Sequence, residues 1–154
     1  MRAILLIFAL SAFIFLGCSE EESPTQNPPT SGTLKLNISG LEDLGSSARY
    51  EGWLIVPVPT NADGIAEDTP ISTGVFTVNS SGTLSQTDFE LDATTLANAT
   101  VFVLTIEPNP DTDPNPSDVH ILAGDFSGNT STVTVDHAAA LGNDFTSSTG
   151  TYIL

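Results

Sequence analysis

The chain has 154 residues and is strongly acidic, with nineteen Asp and Glu against three Lys and Arg and a formal net charge of −16. A field of that sign repels nucleic acid and anionic lipid headgroups, and attracts divalent cations or basic partners. The single cysteine excludes an internal disulfide. Stability must therefore come from a hydrophobic core, for which the length provides one domain of ordinary size.

Residues 1–17 open with Met1-Arg2 and continue as a mostly apolar run ending at Gly17, the layout of a secretory signal and too short to span a bilayer as a helix, which takes about 20 apolar residues. A small residue directly before Cys18 resembles the lipobox of bacterial lipoproteins, in which the thiol is acylated and becomes the new N-terminus. Cys18 is then a membrane anchor; the alternative is an ordinary secretory signal with an incidental cysteine. Two or more acyl chains, at about 0.8 kcal/mol per buried methylene, hold a protein on a membrane durably. Ser19, Glu20, Glu21 and Glu22 follow and resemble the acidic export signal of Bacteroidetes surface lipoproteins, while also reading as a solvated start. The remainder of 18–32 is Pro-rich and reads as an extended tether. The expected address is the outer membrane, at the cell surface or facing the periplasm.

From Thr33 onward, apolar residues recur at alternate positions or in short runs bounded by Gly, Pro, Asn, Asp and Ser, which predicts strands near 33–38, 48–56, 74–78, 84–91, 100–107, 119–123 and 132–135, with a last one beginning at Thr151. That many short strands imply an all-β, immunoglobulin-like antiparallel sandwich over 33–154. Leu34, Leu36 and Ile38 form one buried face of the first strand. Val101-Phe102-Val103-Leu104-Thr105-Ile106 is apolar on both sides and is expected at the centre of a sheet. Trp53, the only tryptophan, is expected in the core, with a binding surface as the alternative. The connection 108–118 carries four prolines and must be a loop. A short turn or helix is expected only at 136–142. The sequence reaches Leu154 within the last predicted strand, so the sandwich is expected to lack an edge.

No catalytic signature emerges. Asp111, Asp113 and Asn115 space oxygens as a calcium loop begins, but Pro116 stands where such a loop needs glycine and Leu122 where it needs glutamate, which rejects an EF-hand. A weaker calcium site at Asp111, Asp113 and Asp118, or a merely solvated acidic loop, remain as readings. His120 and His137 have no further ligand at metal spacing. There is no nucleophile elbow, phosphate loop or basic aromatic face, so no cofactor and no nucleic-acid partner is expected.

Tyr50-Glu51-Gly52-Trp53-Leu54-Ile55, then Gly74-Val75-Phe76, then Thr105-Ile106-Glu107-Pro108 and the return strand Val119 to Gly124 resemble the extracytoplasmic C-terminal domain of anti-sigma-K factors. The resemblance covers roughly residues 49–126. It implies that Trp53, Gly74, Phe76, Thr105, Glu107 and Pro108 belong to the family's motif, where Glu107-Pro108 marks a strand end as readily as a ligand site. In that family a cytoplasmic portion holds the sigma factor, and this sequence shows neither that portion nor a spanning helix. The expectation is therefore a lipid-anchored binding or sensing module, not an enzyme, with an unidentified protein or small molecule as partner. A surface structural or adhesion module and a small envelope enzyme are the alternatives.

Overall fold

The computed structural model describes residues 28–59 and 66–141. The leader, Cys18, Ser19, Glu20, Glu21 and Glu22, and the strand expected from Thr151 lie outside the described residues. The elements are β1 (Ser31–Lys35), β2 (Ala48–Pro59), β3 (Ala66–Phe76), β4 (Asp88–Asp92), α1 (Ala93–Asn98), β5 (Val101–Pro108), β6 (His120–Ser127) and β7 (Thr130–Ser131). Two antiparallel sheets pack together as an all-β sandwich: five strands in the order β3-β2-β5-β6-β7, and β1 paired with β4.

Alternation along β2 and β5 divides the molecule into two apolar clusters, because successive side chains point to opposite faces of a sheet. Tyr50, Leu54, Phe102 and Leu104 face inward and meet Phe76, Val78 and Phe89 in the main core. Tyr50 and Phe76 stack with ring centroids 5.5 Å apart, and Phe89 lies tilted against Phe76 at 6.1 Å. Trp53, Val103 and Ala123 form a second cluster, capped by Ala139 and Ala140 of the chain that follows β7. β5 thus has both faces covered, as its doubly apolar sequence predicts, and it is the middle strand of its sheet.

A bulge tightens β2 against β3. The register shifts between Gly52 and Trp53, so that Gly52 pairs with Gly74 and Trp53 with Ser72, leaving Thr73 as the extra residue. Thr73 turns its hydroxyl onto Gly52 O at 3.0 Å. Gly52 has no room for a side chain: a Cβ there would stand 2.5 Å from Thr73 Oγ1 and 2.9 Å from the Phe102 ring. Gly74, with φ 113°, takes a backbone conformation that only glycine enters freely.

The structure corrects several boundaries. β3 starts at Ala66, well before the predicted 74, because as an edge strand it tolerates Pro70 within its ladder. The strand predicted over 84–91 narrows to Asp88–Asp92, and Leu84 keeps only an isolated bridge to Val78. The strand predicted over 132–135 is replaced by the two-residue β7 and a single bridge between Ala123 and Thr134. A helix appears where none was expected, at α1: the Asp92 carboxylate accepts from the backbone amides of Thr94 and Thr95 at 2.8 and 3.0 Å and caps it. The expected turn or helix at 136–142 is a turn, closed by Ala140 N donating to His137 O at 2.9 Å.

Candidate functional site

The register of β2 on β5 places Glu51 opposite Thr105 and Trp53 opposite Val103. Alternation then brings Glu51, Trp53, Val103, Thr105 and Glu107 to one face, the one turned away from the small sheet. There the polar groups join. Trp53 Nε1 donates to Thr105 Oγ1 at 3.0 Å across 52 residues of sequence. Thr105 Oγ1 donates in turn to Glu107 Oε1. The Glu51 carbonyl lies 3.3 Å from the same hydroxyl, but a threonine has one proton to give, and the carboxylate is the nearer and charged acceptor.

Glu107 is only 2 % exposed and uses its carboxylate to hold the loop that follows. Ser117 N donates to both of its oxygens, at 3.0 and 3.2 Å, while Ser117 Oγ donates to Ile106 O at 2.7 Å. Asn109 secures the start of the loop, through N to Ser47 O at 2.9 Å and Nδ2 to Ser46 O at 2.8 Å. Within the loop, Asp111 Oδ1 accepts from Asp113 N at 2.9 Å, and Asp113 Oδ1 accepts from Asn115 N at 3.0 Å and Asn115 Nδ2 at 2.8 Å. These bonds, the backbone one first, hold the Asp113 carboxyl below its ordinary range.

Between this loop and the strands lies a cleft of about 440 Å³ bordered by Glu51, Trp53, Ser72, Asp111, Thr112, Asp113 and Pro114. Glu51 is 8 % exposed and accepts the Ser72 hydroxyl at Oε1. Burial pushes its carboxyl upward; the Ser72 bond opposes this, and the charges of Glu107 and Asp111 add to it. The cleft is therefore bordered by three carboxyl side chains, those of Glu51, Asp111 and Asp113. Among the described residues no three His, Cys, Asp or Glu side chains converge closely enough to hold a metal ion. Asp111, Asp113 and Asp118 do not gather around one centre, and two of them spend an oxygen on loop turns.

The family-motif residues sort into two groups. Trp53, Thr105 and Glu107 are consecutive members of one hydrogen-bonded chain, and Pro108 ends β5 beside it. Gly74 serves the bulge, and Phe76 belongs to the inward core. Sequence reasoning missed Ser117, Ser72 and the side chain of Glu51. Their only advance signal was the Thr-x-Glu spacing, which puts both side chains on one strand face without saying what they meet.

The two histidines, distant in sequence, both engage Ala139. His120 Nδ1 lies 2.9 Å from Ala139 O, and Ala139 N donates to His137 Nδ1 at 3.1 Å. The proton of a neutral His137 ring must then sit on Nε2, which is 3.4 Å from Asp125 Oδ1. Both rings fasten the segment that covers Trp53, and neither borders the acidic cleft. Comparison with protein-family models, with curated proteins and with solved structures finds no match.

Two outcomes test the network. Thr105→Val keeps the shape but leaves the Trp53 N–H without its partner, costing about 1–3 kcal/mol, and removes one of the two donors to Glu107 Oε1, which keeps Ser117 N. Denaturant unfolding is expected to show a loss of that order, with altered emission from Trp53, the only tryptophan. Glu51 carries the opposite sign. Its folded carboxyl is raised, so the native state holds the proton more tightly than the unfolded chain, and Glu51 lowers stability as pH rises through the folded value. Glu51→Gln is therefore expected to raise Tm at pH 7, and paired melts should show that gain disappearing once the pH falls below the ordinary glutamate range.

Proposed function

We propose that this protein is an extracytoplasmic binding module held on a membrane through lipid at Cys18, its ligand face being the cleft between β2 and the 109–118 loop. One observation carries the reading: the buried Glu107 carboxylate clamps the loop through Ser117 N, so the recess containing Glu51, Asp111 and Asp113 exists before any ligand arrives. A fixed recess lined by carboxylates suits a cationic group, such as an ammonium or guanidinium of a basic partner. Nothing in it pairs a nucleophile with a base and a third orienting group, so recognition is favoured over chemistry. The leader, the residue before Cys18 and the resemblance to the anti-sigma-K outer domain support an envelope location and a sensing or binding role. The sigma-holding act of that family is not part of the proposal.

Anchoring is tested by fractionating cells that express the full chain. The wild type is expected in the membrane fraction and sensitive to protease added to intact cells, Cys18→Ala in the released fraction, and a variant lacking Glu20, Glu21 and Glu22 protected from the protease. Retention of Cys18→Ala on the membrane would remove the lipid reading. Binding is tested by titrating a hexa-arginine peptide while following Trp53 emission. Saturable binding weakened at least tenfold by Glu51→Gln with Asp111→Asn, and unchanged by the remote Glu90→Gln, is the expected result; equal weakening by Glu90→Gln would mean attraction to net charge alone.

A further inference from the structure

The bulge between β2 and β3 decides which side chain meets Glu51. Directly opposed residues of an antiparallel pair share a face. In unbroken register Trp53 would stand opposite Thr73, and Ser72 opposite Leu54 with its side chain toward the core. The extra residue shifts the ladder so that Trp53 pairs with Ser72 instead. Ser72 is thereby turned to the outward face, where it borders the acidic cleft.

There its hydroxyl is committed on both sides. Gly74 N donates to Ser72 Oγ at 3.1 Å, and the Ser72 proton goes to Glu51 Oε1. The backbone of the bulge thus aims the hydroxyl, and the hydroxyl holds one carboxyl oxygen. The other, Oε2, accepts no hydrogen bond among the described residues. Since no fully buried side-chain oxygen there lacks a partner, Oε2 is the atom through which this nine-tenths buried residue reaches the cleft.

The other neighbours mostly oppose a charge on Glu51. β5 brings Glu107, and the loop brings Asp111 and Asp113. β3 presents Ser72 and, opposite Glu51, Val75, neither of which titrates. Arg49 on the same strand stands opposite Glu107 but makes no ion pair among the described residues. Burial raises the Glu51 carboxyl, the Ser72 bond lowers it, and the charges of Glu107 and Asp111 raise it further.

We infer that Ser72 is a positioning residue that sets the proton occupancy of Glu51, so that the cleft takes up its cation in exchange for a proton. On binding, the proton leaves Glu51 Oε2 for solvent and the cation takes its place beside that oxygen, while Ser72 keeps hold of Oε1. The exchange rests on the cation reading of the cleft proposed above; the hold of Ser72 on the proton does not.

Carbon-13 NMR of the Glu51 carboxyl in the full chain, assigned by its loss in Glu51→Gln, tests the inference without any ligand. Ser72→Ala is expected to raise the titration midpoint by about half a pH unit, because it removes a hydrogen bond to the ionised form. Ser72→Thr returns a hydroxyl and is expected to restore the wild-type midpoint. An unmoved midpoint in Ser72→Ala overturns the inference, as does a Ser72→Thr midpoint that stays at the alanine value. Hexa-arginine titrations followed by Trp53 emission test the exchange. Ser72→Ala is expected to bind about twofold more weakly than wild type at pH 5 and equally at pH 8, and to change nothing at either pH in a Glu51→Gln background. Equal weakening at both pH values would mean that Ser72 touches the peptide itself, and refutes the exchange. Absence of peptide binding with the midpoint shift intact removes the cation reading, and the exchange with it, while upholding the hold of Ser72 on the proton.

Discussion

The outer face of this sandwich depends on one hydroxyl group. Thr105 Oγ1 is fully buried, receives the indole proton of Trp53 and gives its own to Glu107. Each of those groups would be costly to bury alone, because an unmade hydrogen bond in the interior is charged at the full desolvation of the group. Together they leave no buried side-chain polar atom without a partner among the described residues. The direction of the chain is fixed by its ends. An indole can only donate and an ionised carboxylate can only accept, so the threonine between them must do both.

From that arrangement the two faces of the five-stranded sheet acquire different roles. Inward, β2 and β5 present rings and branched chains to β1, β3 and β4, and packing alone is sufficient. Outward, no second sheet covers them among the described residues. The covering is made by two irregular segments, the 109–118 loop and the 136–141 turn, and irregular backbone carries polar groups that must be satisfied. Hence the hydrogen-bonding side chains concentrate there: Glu107 and Asn109 for the loop, His120 and His137 for the turn. Glu51 is held in the same layer by Ser72, but in the company of Glu107 and Asp111 its charge opposes the fold. An unfavourable carboxylate at the edge of a rigid recess is the kind of feature that stability alone does not explain.

Much of this was legible in the residues. The doubly apolar run at 101–106 announced a central strand because only a strand covered on both faces needs no polar alternation. Trp53 announced a core position through its bulk. The proline-dense 108–118 stretch announced a loop. What escaped the sequence were contacts made across long separations: Trp53 to Thr105 exists only once β2 and β5 are in register, and Ser72 to Glu51 only once the bulge at Gly52 and Thr73 has set β3 against β2. Helix α1 escaped for a different reason. Its capping signal, Asp92 two and three residues before Thr94 and Thr95, was present, but the helix has six residues and an apolar period needs more than that to show. The shared grip of His120 and His137 on Ala139 had no sequence signal at all.

Two concavities of different chemistry flank the five-stranded sheet. Between β1, α1 and the β6–β7 hairpin lies a groove of about 750 Å³, bordered by Pro29 and the whole of β1 and walled by the half-buried Leu34, Leu36, Phe126 and Val133. The acidic cleft lies on the opposite face of the five-stranded sheet, and its Glu51, Trp53, Ser72, Asp111 and Asp113 side chains already have hydrogen-bond partners. The apolar groove and the acidic cleft therefore lie on opposite faces of the five-stranded sheet and share no lining residue.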